Sequence, residues 1–115
     1  MASYCVKSND GYVEVIFEGE ITLEESFDFK EEVKNRINDL HIYQVMVNLE
    51  GVTFMDSSGL GMLISLYKEV NEKQGKIVFF NVQDYIMKLL KLVNLDKIFL
   101  LAASRDEALS LISQA

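Results

Sequence analysis

Small polar residues and glycines concentrate near the middle of the chain, at residues 56–61, which read Asp-Ser-Ser-Gly-Leu-Gly. An apolar stretch leads into this segment, and a helical pattern starts directly after it. Asp and Ser side chains accept hydrogen bonds from the free N–H groups of a helix's first turn, and that end of a helix favours an anion. Glycine lets another molecule approach the backbone closely. The segment therefore predicts a site at which Ser57 and Ser58 act either as caps or as phosphoacceptors.

Catalytic chemistry at these serines lacks its usual partners. A serine nucleophile needs a base within hydrogen-bond reach, and the chain has one histidine, His41, and no G-x-S-x-G elbow. We expect His41 to be a surface or capping residue at a helix end. An acyl-transfer enzyme using Ser57 stays an alternative, which would require ester hydrolysis that is lost in Ser57→Ala. The leading prediction is that the protein is not an enzyme.

Metal and cofactor sites are not predicted either. One cysteine, one histidine and no carboxylates at ligand spacing exclude the common metal clusters. The glycines at 59 and 61 lack the spacing of a Walker or dinucleotide-binding loop. The sequence predicts no metal and no cofactor.

Length and composition predict one compact domain spanning residues 1–115, because half of the residues are hydrophobic and a quarter are charged. No apolar run approaches the ~20 residues of a membrane span, and the N-terminus lacks the features of a signal peptide. We therefore expect a cytoplasmic protein without a membrane span. The single Cys5 cannot form an internal disulfide, and we predict a structural role for it on an early strand.

The net charge of -7 argues against nucleic acid as a direct partner. Phosphate binding needs a concentrated basic face, whereas the eleven lysines and arginines are scattered along the chain. The acidity favours a basic patch on a protein partner.

Hydrophobic periodicity predicts the order β-β-α-β-α-β-α-β-α. A turn at residues 8–11 joins the first two strands into a hairpin. Capping-box patterns start the first and last helices, at Thr22 with Glu25 and at Ser104 with Glu107. The predicted strands are 3–7, 12–18, 43–49, 76–80 and 98–101.

Each predicted helix has an apolar stripe. The second helix should stop at Gly75 as a C′ residue, and its Met62 and Leu66 lie on a second side. These two residues face either another layer of the fold or a partner, and we favour the first. The stripes are Phe29, Val33, Ile37 and Leu40; Leu63, Ile64, Tyr67 and Val70; Ile86, Leu89, Leu90 and Val93; Ala108, Leu111 and Ile112.

This order predicts an α/β fold in which a mixed, mostly parallel sheet of about five strands carries about four packed α-helices. Sites in such folds lie beyond the carboxyl ends of strands, and residues 56–61 follow a strand predicted to end at Leu49. A response-regulator receiver is rejected. Its metal-binding acidic pair is absent after the first strand, and residues 100–102 lack the lysine that it needs.

The sequence resembles the STAS family over almost its whole length, and within it the bacterial anti-sigma factor antagonists. The core of the resemblance is the D-S-[ST]-G-L-G pattern at residues 56–61, preceded by Phe54 and Met55. Further matching segments are residues 19–21, 45–49, 75–78, 95–99 and 106–109.

The resemblance implies a phosphorylation switch. The serine directly after the motif aspartate, Ser57, would be phosphorylated by an anti-sigma factor that is a serine kinase, and a PP2C-type phosphatase would reverse the reaction. The unphosphorylated protein would bind the anti-sigma factor and free the sigma factor. An alternative is an interaction module in a stress-signalling or lipid-transport assembly. The implied partner-binding residues are Asp56, Ser57, Ser58, Gly59, Leu60, Gly61 and Met62.

Three neighbouring positions have their own expectations. Because the family is modified at the preceding serine, Ser58 is predicted to cap the helix. Asp56 either orients the Ser57 hydroxyl or satisfies a loop N–H. Many family members have Asp where this chain has Thr22, which puts a kinase-contact or nucleotide-pocket role there in doubt. We predict that Thr22 caps the first helix.

Overall fold

A computed structural model describes residues 2–113, so Met1, Gln114 and Ala115 lie outside the described part of the chain. Five strands form one sheet in which spatial order follows chain order. The first two strands pair antiparallel and every later neighbour pairs parallel. This confirms the predicted mixed, mostly parallel sheet. The strands are β1 (Ala2–Asn9), β2 (Tyr12–Ile21), β3 (Gln44–Met55), β4 (Lys76–Phe80) and β5 (Leu100–Ala102).

Helices cover both faces of the sheet. The larger core cluster includes buried residues of the first three helices, and the smaller one places the last helix over the third and fourth strands. None of the helices within residues 2–113 is long and apolar enough to cross a membrane. The helices are α1 (Leu23–Leu40), α2 (Ser57–Glu72), α3 (Asp84–Leu92) and α4 (Arg105–Ser113), with a 3-10 turn at Leu95–Lys97.

Strand β3 is longer than the sequence predicts. Its expected end was Leu49, but it continues to Met55. Only its first part, as far as Asn48, pairs with β4, whereas the last part pairs with β2 alone. Strand β3 has one extra residue opposite β2 between Ile16 and Glu18 and another between Gly19 and Glu20, so it is bulged at both places. The segment at residues 56–61 therefore follows the strand directly.

Helix α1 buries a narrower stripe than predicted. Val33 and Ile37 are buried and Phe29 is half-buried, but Leu40 is exposed in the last turn. His41 is the C-cap, in the left-handed conformation with φ of 56°, so its prediction as a capping residue is confirmed.

The end of α2 differs from the prediction in detail. The helix ends at Glu72, and the left-handed residue is Gln74, with φ of 61°, instead of Gly75. Glycine at 75 has a different reason, since a Cβ there would lie 2.0 Å from the carbonyl oxygen of Tyr43. Close approach to the start of β3, and not a left-handed turn, requires the glycine.

The C-terminal third follows the predicted order with shifted bounds. Strand β5 covers Leu100–Ala102, because Ile98 still belongs to the 3-10 region and donates its N–H to the carbonyl of Leu95. In the flanking helices Ile86, Leu90, Ala108 and Ile112 are buried as expected, whereas Leu89 and Leu111 are half-buried and Val93 is exposed.

The capping prediction for α4 holds in part. The Ser104 hydroxyl accepts the N–H of Glu107 at 3.1 Å, as predicted. The Glu107 carboxylate, however, accepts the N–H of Ala103, at 2.9 Å, where the pattern predicts that of Ser104. Cys5 lies on β1 as expected, but its side chain is exposed and is not part of the core.

Candidate functional site

The site forms where the carboxyl ends of two parallel strands meet. Ile21, the last residue of β2, pairs with Met55, the last residue of β3. The next residue, Asp56, donates its N–H to the carbonyl of Ile21 at 3.3 Å. The chain then turns directly from the sheet into α2. The first turn of this helix therefore lies at the carboxyl ends of the parallel strands, where α/β folds place their sites.

Asp56 is the N-cap of α2. Its backbone is extended, and its Oδ1 accepts the N–H of Ser58 at 2.9 Å and the N–H of Gly59 at 3.1 Å. Two of the four free donors of the first turn are thereby satisfied. The prediction that Ser58 caps the helix is wrong, because Ser58 already lies inside the first turn. Of the two roles considered for Asp56, it satisfies backbone N–H groups.

Ser57 is the first residue of α2, and its side chain is exposed. Its hydroxyl makes no hydrogen bond to any of the described residues 2–113. Because Asp56 already caps the helix, the fold does not need this hydroxyl. Ser57 is therefore both accessible and structurally dispensable.

The two glycines of the motif serve different purposes. A Cβ on Gly59 would lie 2.3 Å from Cγ of Met55 and 2.9 Å from the carbonyl oxygen of Ile21. Gly59 thus lets the helix start close against the two strand ends. A Cβ on Gly61 would meet nothing within 4 Å, so packing does not require a glycine there and the exposed helix surface at this position carries no side chain.

A groove of about 310 Å³ runs between α1 and the start of α2. Its apolar rim is provided by Leu23 and Phe27, whose side chains are 73% and 61% exposed. The ammonium of Lys30 lies 4.7 Å from the centroid of the Phe27 ring, which is within cation–π range. We call this feature the α1–α2 groove; it is lined by Leu23, Ser26, Phe27, Lys30, Ser58, Gly61, Met62 and Ser65.

Sequence reasoning missed the α1 residues of this groove. Leu23 and Phe27 are four residues apart on a helix, so they lie on one face. That face is outside the buried stripe that Val33 and Ile37 define. Two large apolar residues at helical spacing, off the core stripe, are the signal that would have predicted an exposed patch.

A second pair of exposed rings lies at the end of β3. Phe54 and Tyr85 stack with ring centroids 6.1 Å apart and an interplanar angle of 19°. Phe54 belongs to the motif that carried the family resemblance, but Tyr85, in the first turn of α3, was not predicted to lie near it. Exposed aromatic rings are enriched at protein–protein interfaces.

The predicted partner-binding residues differ in exposure. Ser57 and Gly61 are exposed, whereas Asp56, Ser58 and Leu60 are half-buried. Gly59 is buried, and so is Met62, which is 1% exposed and belongs to the main core cluster together with Leu66. The preferred interpretation of Met62 and Leu66, that they face another layer of the fold, is confirmed.

Thr22 caps α1, as predicted. The Glu25 carboxylate accepts the backbone N–H of Thr22 at 3.1 Å and its hydroxyl at 2.9 Å. These two hydrogen bonds hold the pKa of Glu25 below its ordinary value of 4.5, and the bond from the backbone N–H has the larger effect. The position thus has a structural role next to the α1–α2 groove.

Groups that would support catalysis are distant or absent in the described part of the chain. His41 follows the last residue of the 18-residue helix α1, whereas residues of its first turns line the groove. Within residues 2–113 no three His, Cys, Asp or Glu side chains are grouped so that they could hold a metal ion.

Comparison with known proteins agrees with this geometry. The family model of the STAS domain matches residues 4–108. The chain belongs to the STAS family. The predicted family and fold are confirmed by this match and by the structural similarities below.

Among curated STAS relatives, the anti-sigma-B factor antagonist of Listeria monocytogenes is 31% identical over 65 residues, which cover 51% of this chain and 57% of that protein. The anti-sigma F factor antagonist of Paenibacillus polymyxa is 37% identical over 54 residues, or 47% of this chain and 46% of that protein. This chain thus spans about half the length of the curated relatives that it matches.

Solved STAS structures match over nearly the whole chain. An anti-sigma factor antagonist from Mycobacterium paratuberculosis superposes with a TM-score of 0.88 at 23% identity, covering 99% of this chain and 96% of that one. The antagonist SpoIIAA in its unphosphorylated form gives a TM-score of 0.75 at 17% identity, covering 98% and 100%. SpoIIAA of Bacillus in its phosphorylated form gives 0.74 at 19% identity, covering 96% and 99%.

Proposed function

We propose that this STAS protein is an anti-sigma factor antagonist controlled by phosphorylation of Ser57. In its unphosphorylated form it binds an anti-sigma factor that is a serine kinase, and this releases the sigma factor. Phosphorylation by that kinase abolishes binding, and a PP2C-type phosphatase restores it. In this role the protein is a binding partner and a phosphoacceptor in the cytoplasm; it is not an enzyme.

One observation carries the proposal: Ser57 has an exposed hydroxyl without a structural task, at the start of a helix that is capped by another residue. A kinase must reach the hydroxyl oxygen and place a phosphoryl group on it. Neither step disturbs the fold, because Asp56 caps the helix and Gly59 packs against the strand ends, so Ser57 has neither task. The relatives' names support the antagonist role, since those in Listeria monocytogenes and Paenibacillus polymyxa are called anti-sigma factor antagonists.

The position of Asp56 favours a switch that acts at the partner surface. Its carboxylate occupies the N–H groups of Ser58 and Gly59. A phosphoryl group on Ser57 adds about -1.5 to -2 charges beside this carboxylate, and it would point toward solvent and the partner. Loss of about 1.4 kcal/mol is already tenfold in affinity, and like charges brought together in an interface cost several kcal/mol.

The fold itself need not change. SpoIIAA has been solved in both forms, and this chain superposes on them with TM-scores of 0.75 and 0.74. A switch that leaves the backbone in place and changes only the local surface charge is compatible with both similarities.

The interface that we propose surrounds the start of α2. Ser57, Ser58 and Gly61 provide its polar part, and Leu23 and Phe27 provide an apolar part. Asp56 and Leu60 are half-buried and would lie at the margin of this interface. Gly59 and Met62 are buried, so they would support it from below and would not contact the partner.

The first experiment maps phosphorylation in the native host. The protein is purified from cells in several growth phases, and its peptides are analysed by mass spectrometry. We expect a fraction heavier by about 80 Da with the added mass on Ser57. The same mass on Ser58 would keep the function but overturn the residue assignment. Absence of the modification in every growth condition would favour an unregulated interaction module in another assembly.

The second experiment tests binding with matched variants. Each kinase-type anti-sigma factor of the host is purified and titrated with wild type, Ser57→Ala, Ser57→Asp and the control Ser110→Asp, which changes an exposed serine on α4 outside the proposed interface. Wild type and Ser57→Ala should bind, and Ser57→Asp should lose at least tenfold in affinity while its circular dichroism spectrum is unchanged. If Ser57→Asp bound as tightly as wild type, the switch would be wrong.

A further inference from the structure

Two exposed surfaces of opposite charge lie at opposite edges of the sheet. Helix α1 packs on β1 and β2, whereas α3 packs on β3 and continues into the 3-10 turn, which contacts β5. Each surface combines exposed apolar side chains with charges of one dominant sign.

The first surface is the outer side of the first half of α1. Leu23 and Phe27 are exposed there, and acidic residues follow at spacings of four and three along the same side of the helix. The one lysine in this half, Lys30, is engaged with the Phe27 ring and lies 4.0 Å from the Glu31 carboxylate. We call this surface the acidic face; it consists of Leu23, Glu24, Phe27, Asp28 and Glu31.

The second surface is the C-terminal part of α3 with the 3-10 turn. Lys88, Lys91 and Leu92 line a shallow groove of about 390 Å³, and the Leu92 side chain is 78% exposed. Lys97 and the apolar side chains of Val93 and Ile98 are exposed in the same stretch. We call this surface the basic face; it consists of Lys88, Lys91, Leu92, Val93, Lys97 and Ile98.

The basic face stands out against the rest of the chain. Residues 85–98 contain three lysines and one aspartate, in a protein whose net charge is -7. A cluster of exposed apolar side chains with a rim of one charge sign is typical of an interaction site, whereas apolar residues scattered singly are ordinary. The acidic face has the complementary composition, since it also presents apolar side chains but carries carboxylates.

We propose that the basic face of one copy binds the acidic face of a second copy, head to tail. Leu92 and its apolar neighbours would pack against Leu23 and Phe27, with lysines facing carboxylates around them. Because the two faces are different, the contact is heterologous, and a pair of copies retains one free acidic face and one free basic face. The association should be weak and salt-dependent, as small charged interfaces are.

Self-association would cover part of the α1–α2 groove. Leu23 and Phe27 belong to both the acidic face and the groove rim. If the proposed function holds, a second copy and the kinase therefore compete for these two side chains. The association itself does not depend on that function, because it concerns the purified chain alone.

The test uses two variants that each lose one face. Lys91→Glu with Leu92→Glu removes the basic face, and Leu23→Lys with Phe27→Lys replaces the apolar part of the acidic face by positive charges that repel the basic face. All four side chains are exposed, so the fold should persist, which circular dichroism checks. Each altered face then carries both signs of charge and has lost its most exposed apolar side chains, so the two altered faces do not bind each other.

Sedimentation equilibrium gives the expected pattern. The mass of the wild type rises above the monomer's 13.1 kDa as concentration approaches millimolar, and it falls back at high salt. Each variant alone stays monomeric. An equimolar mixture forms a dimer of about twice the monomer mass and nothing larger, because it contains one intact pair of faces.

Three results would overturn the proposal. A wild type that is monomeric at every concentration excludes self-association, and variants that associate like the wild type place the interface elsewhere. A mixture that stays monomeric excludes the pairing of these two faces. None of these results involves the kinase or phosphorylation of Ser57, so failure here leaves the proposed function intact.

Discussion

The Oδ1 atom of Asp56 lies 2.9 Å from the backbone nitrogen of Ser58. This hydrogen bond divides the roles in the motif, because the aspartate caps the helix and the two serines need not. A structural task and a regulatory task can then be assigned to adjacent residues and separated by substitution.

Substitution of Asp56 should therefore affect stability more than substitution of either serine. Asp56→Ala removes the acceptor for two N–H groups, and we expect a loss of about 1 kcal/mol in the free energy of unfolding. Asp56→Asn should keep most of the stability of the wild type, since an amide oxygen also accepts hydrogen bonds at an N-cap. Urea denaturation measures the difference.

The matched control is Ser58→Ala. It should change the free energy of unfolding by less than about 0.5 kcal/mol, because Ser58 is inside the first turn and does not cap it. A larger loss for Ser58→Ala than for Asp56→Ala would contradict the assignment of the cap.

Local sequence could not decide this assignment. Asp and Ser are both favoured N-cap residues, and residues 56–58 offer three consecutive candidates. The deciding fact is that β3 continues to Met55 and leaves Asp56 as the first residue past the sheet. That extension pairs only with β2, a strand more than twenty residues away in the chain, and it contains two bulges that local sequence does not predict.

The predictable parts of the fold are those with strong periodicity or specific capping patterns. The hairpin, the order of elements and the cap at Thr22 follow from local residues alone. The exact role of Gly75 does not, because its reason is the carbonyl of Tyr43 on a neighbouring element. The α1–α2 groove was missed for the same reason, since it arises between two helices.

The two glycines of the motif should respond oppositely to alanine. Gly59→Ala places a Cβ against Met55 and the carbonyl of Ile21, so we expect a loss of about 1–3 kcal/mol in the free energy of unfolding. Gly61→Ala enters open space inside a helix, where alanine is favoured by up to about 1 kcal/mol. Thermal and urea denaturation of the two variants measure whether each free energy of unfolding falls or rises. Equal destabilisation by both substitutions would refute this distinction.

The pKa of Glu25 predicts part of the acid sensitivity of α1. Its hydrogen bonds to Thr22 lower the pKa in the folded state below 4.5, so the unfolded state binds the proton more tightly. The stabilisation is then fully present above pH 4.5 and is lost as pH falls through the lower folded-state pKa. NMR titration of the Glu25 carboxyl carbon measures that pKa directly.

Thr22→Ala provides the control for this titration. It removes the hydroxyl donor but keeps the backbone N–H, which is the larger cause of the shift. The pKa of Glu25 should rise only part of the way toward 4.5. An unchanged pKa in Thr22→Ala would mean that the hydroxyl contact does not persist in solution.

An ion pair between Glu14 and Arg105 fixes the start of α4 to the sheet. The Glu14 residue is 6% exposed, and its Oε1 accepts from Nε of Arg105 at 3.0 Å and from Nη2 at 2.8 Å. Arg105→Ala leaves a buried carboxylate without this partner, which costs about 1–3 kcal/mol. We expect the lower end, because the Arg105 side chain is 45% exposed and solvent screens its charge.

A double-mutant cycle separates this pairing from the loss of packing by the arginine stem. In the Glu14→Gln background no buried charge remains, so Arg105→Ala should cost less there than in the wild type. Arg105→Lys should recover only part of the loss, because one ammonium cannot reproduce two guanidinium hydrogen bonds to the same oxygen. Urea denaturation of the four proteins gives the coupling free energy. Additivity within about 0.3–0.5 kcal/mol would show that the pair contributes no coupling and that α4 is held by its apolar residues and by the hydrogen bonds from Gln44 and Lys76.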